Sequence, residues 1–101
     1  MKFVHLILPL SILGTSGVAL ASEDLAKAKN CLSCHGVSNK MVGPAFKEVA
    51  AKYKGDKKAA PVLATKIKAG GKGVWGEIPM LPNNVTDAES KQLVAWILGL
   101  K

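Results

Sequence analysis

The feature that most constrains this chain is five residues long: Cys31-Leu32-Ser33-Cys34-His35. Two cysteines separated by two residues, with histidine directly after the second, form an attachment site for a c-type haem. The order follows from the chemistry. Each thiol adds across one porphyrin vinyl group to form a thioether, and the short spacing on a helical turn directs both sulfurs at one edge of the macrocycle. The next residue then places its imidazole under the iron as an axial ligand. The chain has only these 2 cysteines, so the motif is not a fragment of a larger cysteine framework.

Three other uses of such a pair stand beside this one. A thioredoxin-like dithiol requires a βαβ setting, and no β-rich alternation surrounds the motif. Half of a zinc site needs further Cys or His ligands, and outside the motif the sequence offers only His5. A disulfide between cysteines this close would shut a very small loop, where the stabilisation from loop closure is least.

Length bears on the same point. Residues Phe3 to Ala21 are almost continuously apolar, follow Lys2 and end in Ala19-Leu20-Ala21. A charged start, an apolar middle and an A-x-A end make residues 1–21 a secretory signal peptide, with cleavage expected after Ala21. The competing reading is a retained membrane anchor. Ser11, Gly14, Thr15, Ser16 and Gly17 dilute its second half, and Glu23-Asp24 follow it, which favours cleavage and a mature protein with no stable membrane insertion. One domain then remains, residues 22–101. A chain that short struggles to bury enough apolar surface alone and commonly relies on a staple or cofactor. A covalent porphyrin contributes such surface, at about 25 cal/mol per Å² removed from water.

The mature segment reads as all-helical. Ser22 is placed to cap a first helix with Glu23 and Asp24 in its opening turn, running through Leu25, Ala28 and Leu32 into the motif. Gly43-Pro44 punctuates a loop. Phe46, Val49, Ala50 and Tyr53 follow the i, i+3, i+4, i+7 pattern of a second helix ending near Gly55. Ala60, Leu63, Ala64 and Ile67 repeat it in a third, with Pro61 acceptable in the first turn and Gly70-Gly71 as the stop. Thr86-Asp87-Ala88-Glu89 is a capping box, and Leu93, Trp96, Ile97 and Leu100 form the apolar face of a last helix. The first and last helices are expected to cross and close the haem crevice.

Between the third and fourth helices lies a stiff apolar loop, Gly73 to Asn84. Its Met80 is the candidate sixth iron ligand, since a thioether raises a haem's reduction potential. An ordinary core methionine is the alternative role. Past the leader the only other methionine is Met41, six residues beyond His35, a span of at most about 20 Å and barely enough to round the haem edge. Met80 has ample chain to reach the far face, and Pro79 and Pro82 stiffen it. A lysine ligand would first have to lose its proton, and nothing singles one out.

From residue 24 onward the chain resembles the small bacterial class I cytochromes c, the monohaem c-551/c-552 type. The resemblance is carried by Cys31-Leu32-Ser33-Cys34-His35, Met41-Val42-Gly43-Pro44-Ala45, Val49-Ala50-Ala51-Lys52-Tyr53, Gly73-Val74-Trp75-Gly76, Ile78-Pro79-Met80 and Ala95-Trp96-Ile97-Leu98. It implies an all-α class I cytochrome c fold, four to five helices wrapped around one covalent haem c. It also implies thioethers at Cys31 and Cys34, a proximal bond from His35 and a distal bond from Met80. Pro44 would then present its carbonyl to the other nitrogen of His35, Trp75 would lie with its N–H near a propionate, and Asn83 would offer its amide near the Met80 sulfur. The family commonly has proline after the axial methionine. Here Leu81 stands there.

With both axial positions taken, iron has no open site for a small substrate, and neither paired carboxylates nor a Ser/His/Asp set points to catalysis. The expected function is a soluble periplasmic, monomeric electron carrier and not an enzyme. Its partners by analogy would be a membrane quinol-oxidising complex upstream and a nitrite reductase or terminal oxidase downstream. The alternative is a small haem enzyme or gas sensor with an open distal position. Residues 22–101 carry 13 lysines, no arginine and 7 acids, a formal charge of +6. Nucleic acid is a poor partner for an exported, arginine-free chain. Lys27, Lys29, Lys40, Lys47 and Lys72 are expected to form a basic ring that steers redox partners with acidic docking surfaces.

Overall fold

The computed structural model describes residues 17–101, with side chains from Ser22 onward. The leader expected over residues 1–21 therefore lies, up to residue 16, outside the described residues. Four helices follow: α1 (Gly17–Ala28), α2 (Phe46–Lys52), α3 (Ala59–Ala69) and α4 (Asp87–Leu98), with one short 3-10 turn at Cys31–Ser33. Among the described residues the only β feature is an antiparallel bridge between Gly71 and Met80.

α4 is the hub, packed against α1, α2 and α3. Its start is fixed as the sequence predicts. The Thr86 hydroxyl accepts from the Glu89 N–H at 3.1 Å, and the Glu89 carboxylate accepts from the Thr86 N–H at 2.9 Å. Two further ties meet there. Lys29, just past α1, pairs with Glu89 at 3.8 Å, and Lys68 near the end of α3 pairs with Asp87. The crossing of first and last helices is present, and it buries Ser22, which accepts a hydrogen bond from Gln92 of α4 at 3.4 Å.

α1 departs from expectation at both ends. It is already helical at Gly17, the first described residue, so Ser22 lies within it and does not cap it. Residues 17–21 contain no proline, and nothing stops the helix from propagating back from its packed half. It ends at Ala28 and does not run into the motif, because Asn30 adopts a left-handed conformation (φ 62°). Asparagine is one of the few residues that tolerates that region. α3 starts at Ala59 and so keeps Pro61 in its first turn, and it is closed by Gly70 at φ 75°.

The core is lean. One cluster joins Ala26, Ala64, Ile67, Val85, Leu93 and Val94, and a second joins Phe46, Val49 and Ile97. The largest fully buried side chain is Leu93. Cys31, Leu32, Leu63 and Trp96 pack against both clusters, which sets the motif at the seam of the core.

The ties at α4 give an acid-sensitive element. Asp87 is held below the usual carboxylate range by the hydrogen bond from Lys68 and by that ammonium's charge. Glu89 is lowered chiefly by the Thr86 N–H, with Lys29 adding attraction. Both bind protons more weakly folded than unfolded. Their contribution is therefore complete above the ordinary carboxylate range of about 4 and is lost as pH falls through the lowered folded values. An Asp87→Asn, Glu89→Gln variant is expected to show a flatter acid limb in thermal midpoint against pH. Thr86→Ala, which removes the cap itself, is expected to cost about 1 kcal/mol at neutral pH. An acid limb as steep as wild type would mean that neither carboxylate matters to folding.

Candidate functional site

The motif forms its own turn. The Cys31 carbonyl accepts from the N–H groups of Cys34 at 3.2 Å and His35 at 3.0 Å, so the two cysteines stand one turn apart. Both thiols are free; Cys31 is part-buried and Cys34 exposed. Burial pushes the Cys31 thiol pKa up, the Cys31 backbone hydrogen bond lowers it, and neighbouring Cys34 adds a smaller upward push.

The segment after the motif folds back on it. Gly43 N–H donates to the Cys34 carbonyl at 2.8 Å, Phe46 N–H to Gly36 at 2.9 Å and Lys47 N–H to Val37 at 3.0 Å. The last two satisfy first-turn amides of α2, which has no side-chain cap. Pro44 is thereby brought to His35, whose Nδ1 donates to the Pro44 carbonyl at 2.8 Å. A carbonyl only accepts, so the proton sits on Nδ1 and the Nε2 lone pair is the one left for a metal. Gly43 is held against the same ring. A Cβ there would lie 2.5 Å from His35 Cε1 and 3.0 Å from Nε2, so only glycine lets the loop pass.

The Met80 loop is tied in a different way. Met80 is part-buried against the larger core cluster. Its N–H donates to Gly71 at 2.7 Å and its carbonyl accepts from Gly71 at 3.0 Å. Gly70 makes this approach possible, since a Cβ at that residue would stand 2.4 Å from the Met80 carbonyl oxygen. The Asn83 amide donates to the Ile67 carbonyl at 2.9 Å, near the end of α3, and to the Leu81 carbonyl at 3.3 Å, which fixes it beside the Met80 loop. Trp75 is partly exposed, with the Lys52 ammonium 5.4 Å from its ring centre.

These residues fit a haem on two observations. The motif turn presents two free thiols and an imidazole whose Nε2 is left open. Apolar surface is also misplaced: Met41, Val42, Val74, Trp75, Ile78 and Leu81 are exposed, Ile78 to 68% and Leu81 to 75%, while the interior is built largely of alanine, valine and isoleucine. The two segments flanking Gly43 and Met80 thus carry the apolar area that a porphyrin would cover. Of the lysines expected to ring that edge, Lys29 is engaged with Glu89, while Lys27, Lys40, Lys47 and Lys72 are exposed. The Gly43 and Gly70 approaches and the Phe46 and Lys52 ring contacts had no signal in the sequence beyond residue type.

Comparison with known proteins agrees with this geometry. The family model for cytochrome c matches residues 19–101. The chain is 55% identical to a cytochrome c-552 of Hydrogenobacter thermophilus over 91 residues, 90% of this chain and 93% of that one. It is 57% identical to a cytochrome c-551 of Azotobacter vinelandii over 79 residues, 78% of this chain and 96% of the other. The crystal structure of wild-type Nitrosomonas europaea cytochrome c552 superposes with a TM-score of 0.76 at 59% identity, covering 78% of this chain and 99% of that one. The class 1 cytochrome MtoD of Sideroxydans lithotrophicus superposes at 0.69 with 35% identity, covering 79% and 92%.

Proposed function

The chain belongs to the cytochrome c family and is a small class I electron carrier with one haem c bound through Cys31 and Cys34; from that premise we propose His35 and Met80 as the axial ligands and the periplasm as the place of work. The observation that carries the ligation is the proximal cradle. Pro44 fixes the tautomer of His35 and leaves Nε2 as the basic nitrogen. The same hydrogen bond helps fix the orientation of the ring that Nε2 presents to a ligand. Met80 enters on the loop that Gly70 and Gly71 hold against α3.

The bound haem supplies a one-electron Fe(III)/Fe(II) couple. Loop 36–45, strapped to the motif by backbone bonds, would hold His35 in place, and the doubly bonded Gly71–Met80 pair would hold Met80, so little would have to move on a change of charge. With His35 and Met80 both ligating, a bound haem would have no iron position left for a substrate, and the exposed Met41, Val42, Val74 and Ile78 would frame the surface through which an electron passes.

Cleavage after Ala21 and export accompany this reading. Among the described residues no helix is long and apolar enough to cross a membrane. The exposed lysines are taken as the feature that steers acidic partners, a quinol-oxidising complex upstream and a nitrite reductase or terminal oxidase downstream. The purified holoprotein is expected to show a methionine-to-ferric-iron charge-transfer band, to cycle reversibly on an electrode and to refuse carbon monoxide at neutral pH. Its reduction by an acidic partner is expected to slow steeply with salt, because the Debye length is about 10 Å at 0.1 M. Charge reversal at Lys27 or Lys72 is expected to slow it more than reversal at Lys91 or Lys101. Ready carbon monoxide binding would favour a sensor or enzyme, and a flat salt response would remove the steering role.

A further inference from the structure

We propose that Phe46 sets the plane of the His35 imidazole and is a positioning residue for the bond that this ring makes; the inference rests on the reading of His35 as an axial ligand. The hydrogen bond to Pro44 fixes one point in the plane of the ring. It leaves the ring free to roll about the line of that bond. Only a flat neighbour against the ring resists this roll.

Phe46 is that neighbour. Its ring lies stacked on the imidazole, with centroids 4.9 Å apart and planes 20° from parallel. An offset stack of this kind is a favoured aromatic geometry. Phe46 is itself immobilised. It is 4% exposed, its backbone N–H is tied to Gly36 as the first residue of α2, and its ring meets Trp96 of α4 at 5.5 Å in an edge arrangement of 74°. The orientation of the imidazole is therefore referred to two helices and not only to the loop that follows the motif. Gly43 passes close to the Cε1 side of the ring with backbone alone, and Phe46 is the side chain that lays a flat face on the imidazole.

The plane matters in the ferric state. The π orbital of an imidazole overlaps whichever iron d orbital it faces, so rolling the ring redistributes unpaired spin over the porphyrin and the ligand. That distribution is read directly in paramagnetically shifted proton resonances. A leucine at this position fills comparable space but offers no flat face.

The test is proton NMR of the ferric holoprotein for wild type, Phe46→Leu, Phe46→Tyr and Val49→Ala, with reduction potentials and melting curves on the same samples. Val49 shares the Phe46 core cluster and serves as the packing control. Phe46→Leu is expected to shift the His35 ring protons and haem methyl resonances and to move the potential beyond error. Phe46→Tyr is expected to retain the wild-type pattern. Val49→Ala is expected to lower the melting temperature while leaving the pattern in place. The proposal is overturned if Phe46→Leu lowers stability alone, or if Val49→Ala shifts the His35 signals as much. If the leucine variant does not mature, Phe46→Met is read by the same criteria. Strongly shifted His35 ring protons in the wild type are the separate check on ligation. Their absence would overturn the axial reading first, whereas their presence unmoved by Phe46→Leu would overturn only the role of Phe46.

Discussion

A chain carrying Cys31→Ala and Cys34→Ala together is expected to lose covalent haem and, with it, cooperative folding. The first loss is stoichiometric, since no other cysteine exists to form a thioether. The second follows from where the core is thin. Cys31 and Leu32 pack against both core clusters, so the motif lies at the seam that joins them. Nearly half of the buried apolar residues are alanines, while Ile78, Leu81, Val42 and Val74 face outward from the two flanking loops. A domain of about 80 residues is marginal even with a well-filled interior. Circular dichroism of the purified double variant is expected to show little helix and no sharp thermal transition, and acid acetone would extract any residual colour. A sharp melt close to that of the holoprotein would show that α1, α3 and α4 close on each other unaided and that the haem only decorates a finished fold.

The legible parts of the molecule were those fixed by local chemistry. α4 could be read from Thr86 and Glu89 because a capping box is written in four consecutive residues, and both of its hydrogen bonds are present. The motif is equally local. α1 was less so. Its start depends on what precedes Ser22, and its end on Asn30, whose left-handed conformation cuts the helix before the motif. The apolar spacing of Leu25, Ala28 and Leu32 runs straight through that position and carries no sign of the break. Asn83 was less legible in another way. Its side-chain amide and its backbone N–H both donate to the Ile67 carbonyl at the end of α3, a partner that no local spacing points to. Gly43 reads as a turn residue, yet its use is to clear the His35 ring, which depends on how loop 36–45 folds back. No spacing rule encodes that return.

Met80→Ala is expected to keep the haem attached while lowering its reduction potential on the order of 0.2 V, within the roughly 0.8 V that axial ligands command. The direction follows from ligand softness. A thioether stabilises the ferrous ion more than the ferric, and its loss removes that preference. The fold is expected to survive, because the loop is held by backbone pairing between residues 71 and 80 and by Asn83 on Ile67, none of which needs the methionine side chain. Carbon monoxide is then expected to bind the ferrous variant within the mixing time, and the charge-transfer band to vanish. Gly70→Ala separates the ligand from its support. It leaves the sulfur in the sequence but sets a methyl 2.4 Å from the Met80 carbonyl oxygen, at a residue with φ 75°. With ψ at −172° this is backbone that essentially only glycine adopts, and a residue with a side chain there costs on the order of 1–3 kcal/mol. That variant is expected to bind carbon monoxide in part, with a potential between wild type and Met80→Ala. Two variants indistinguishable from wild type in potential and gas binding would make Met80 an ordinary loop residue and would require another sixth ligand.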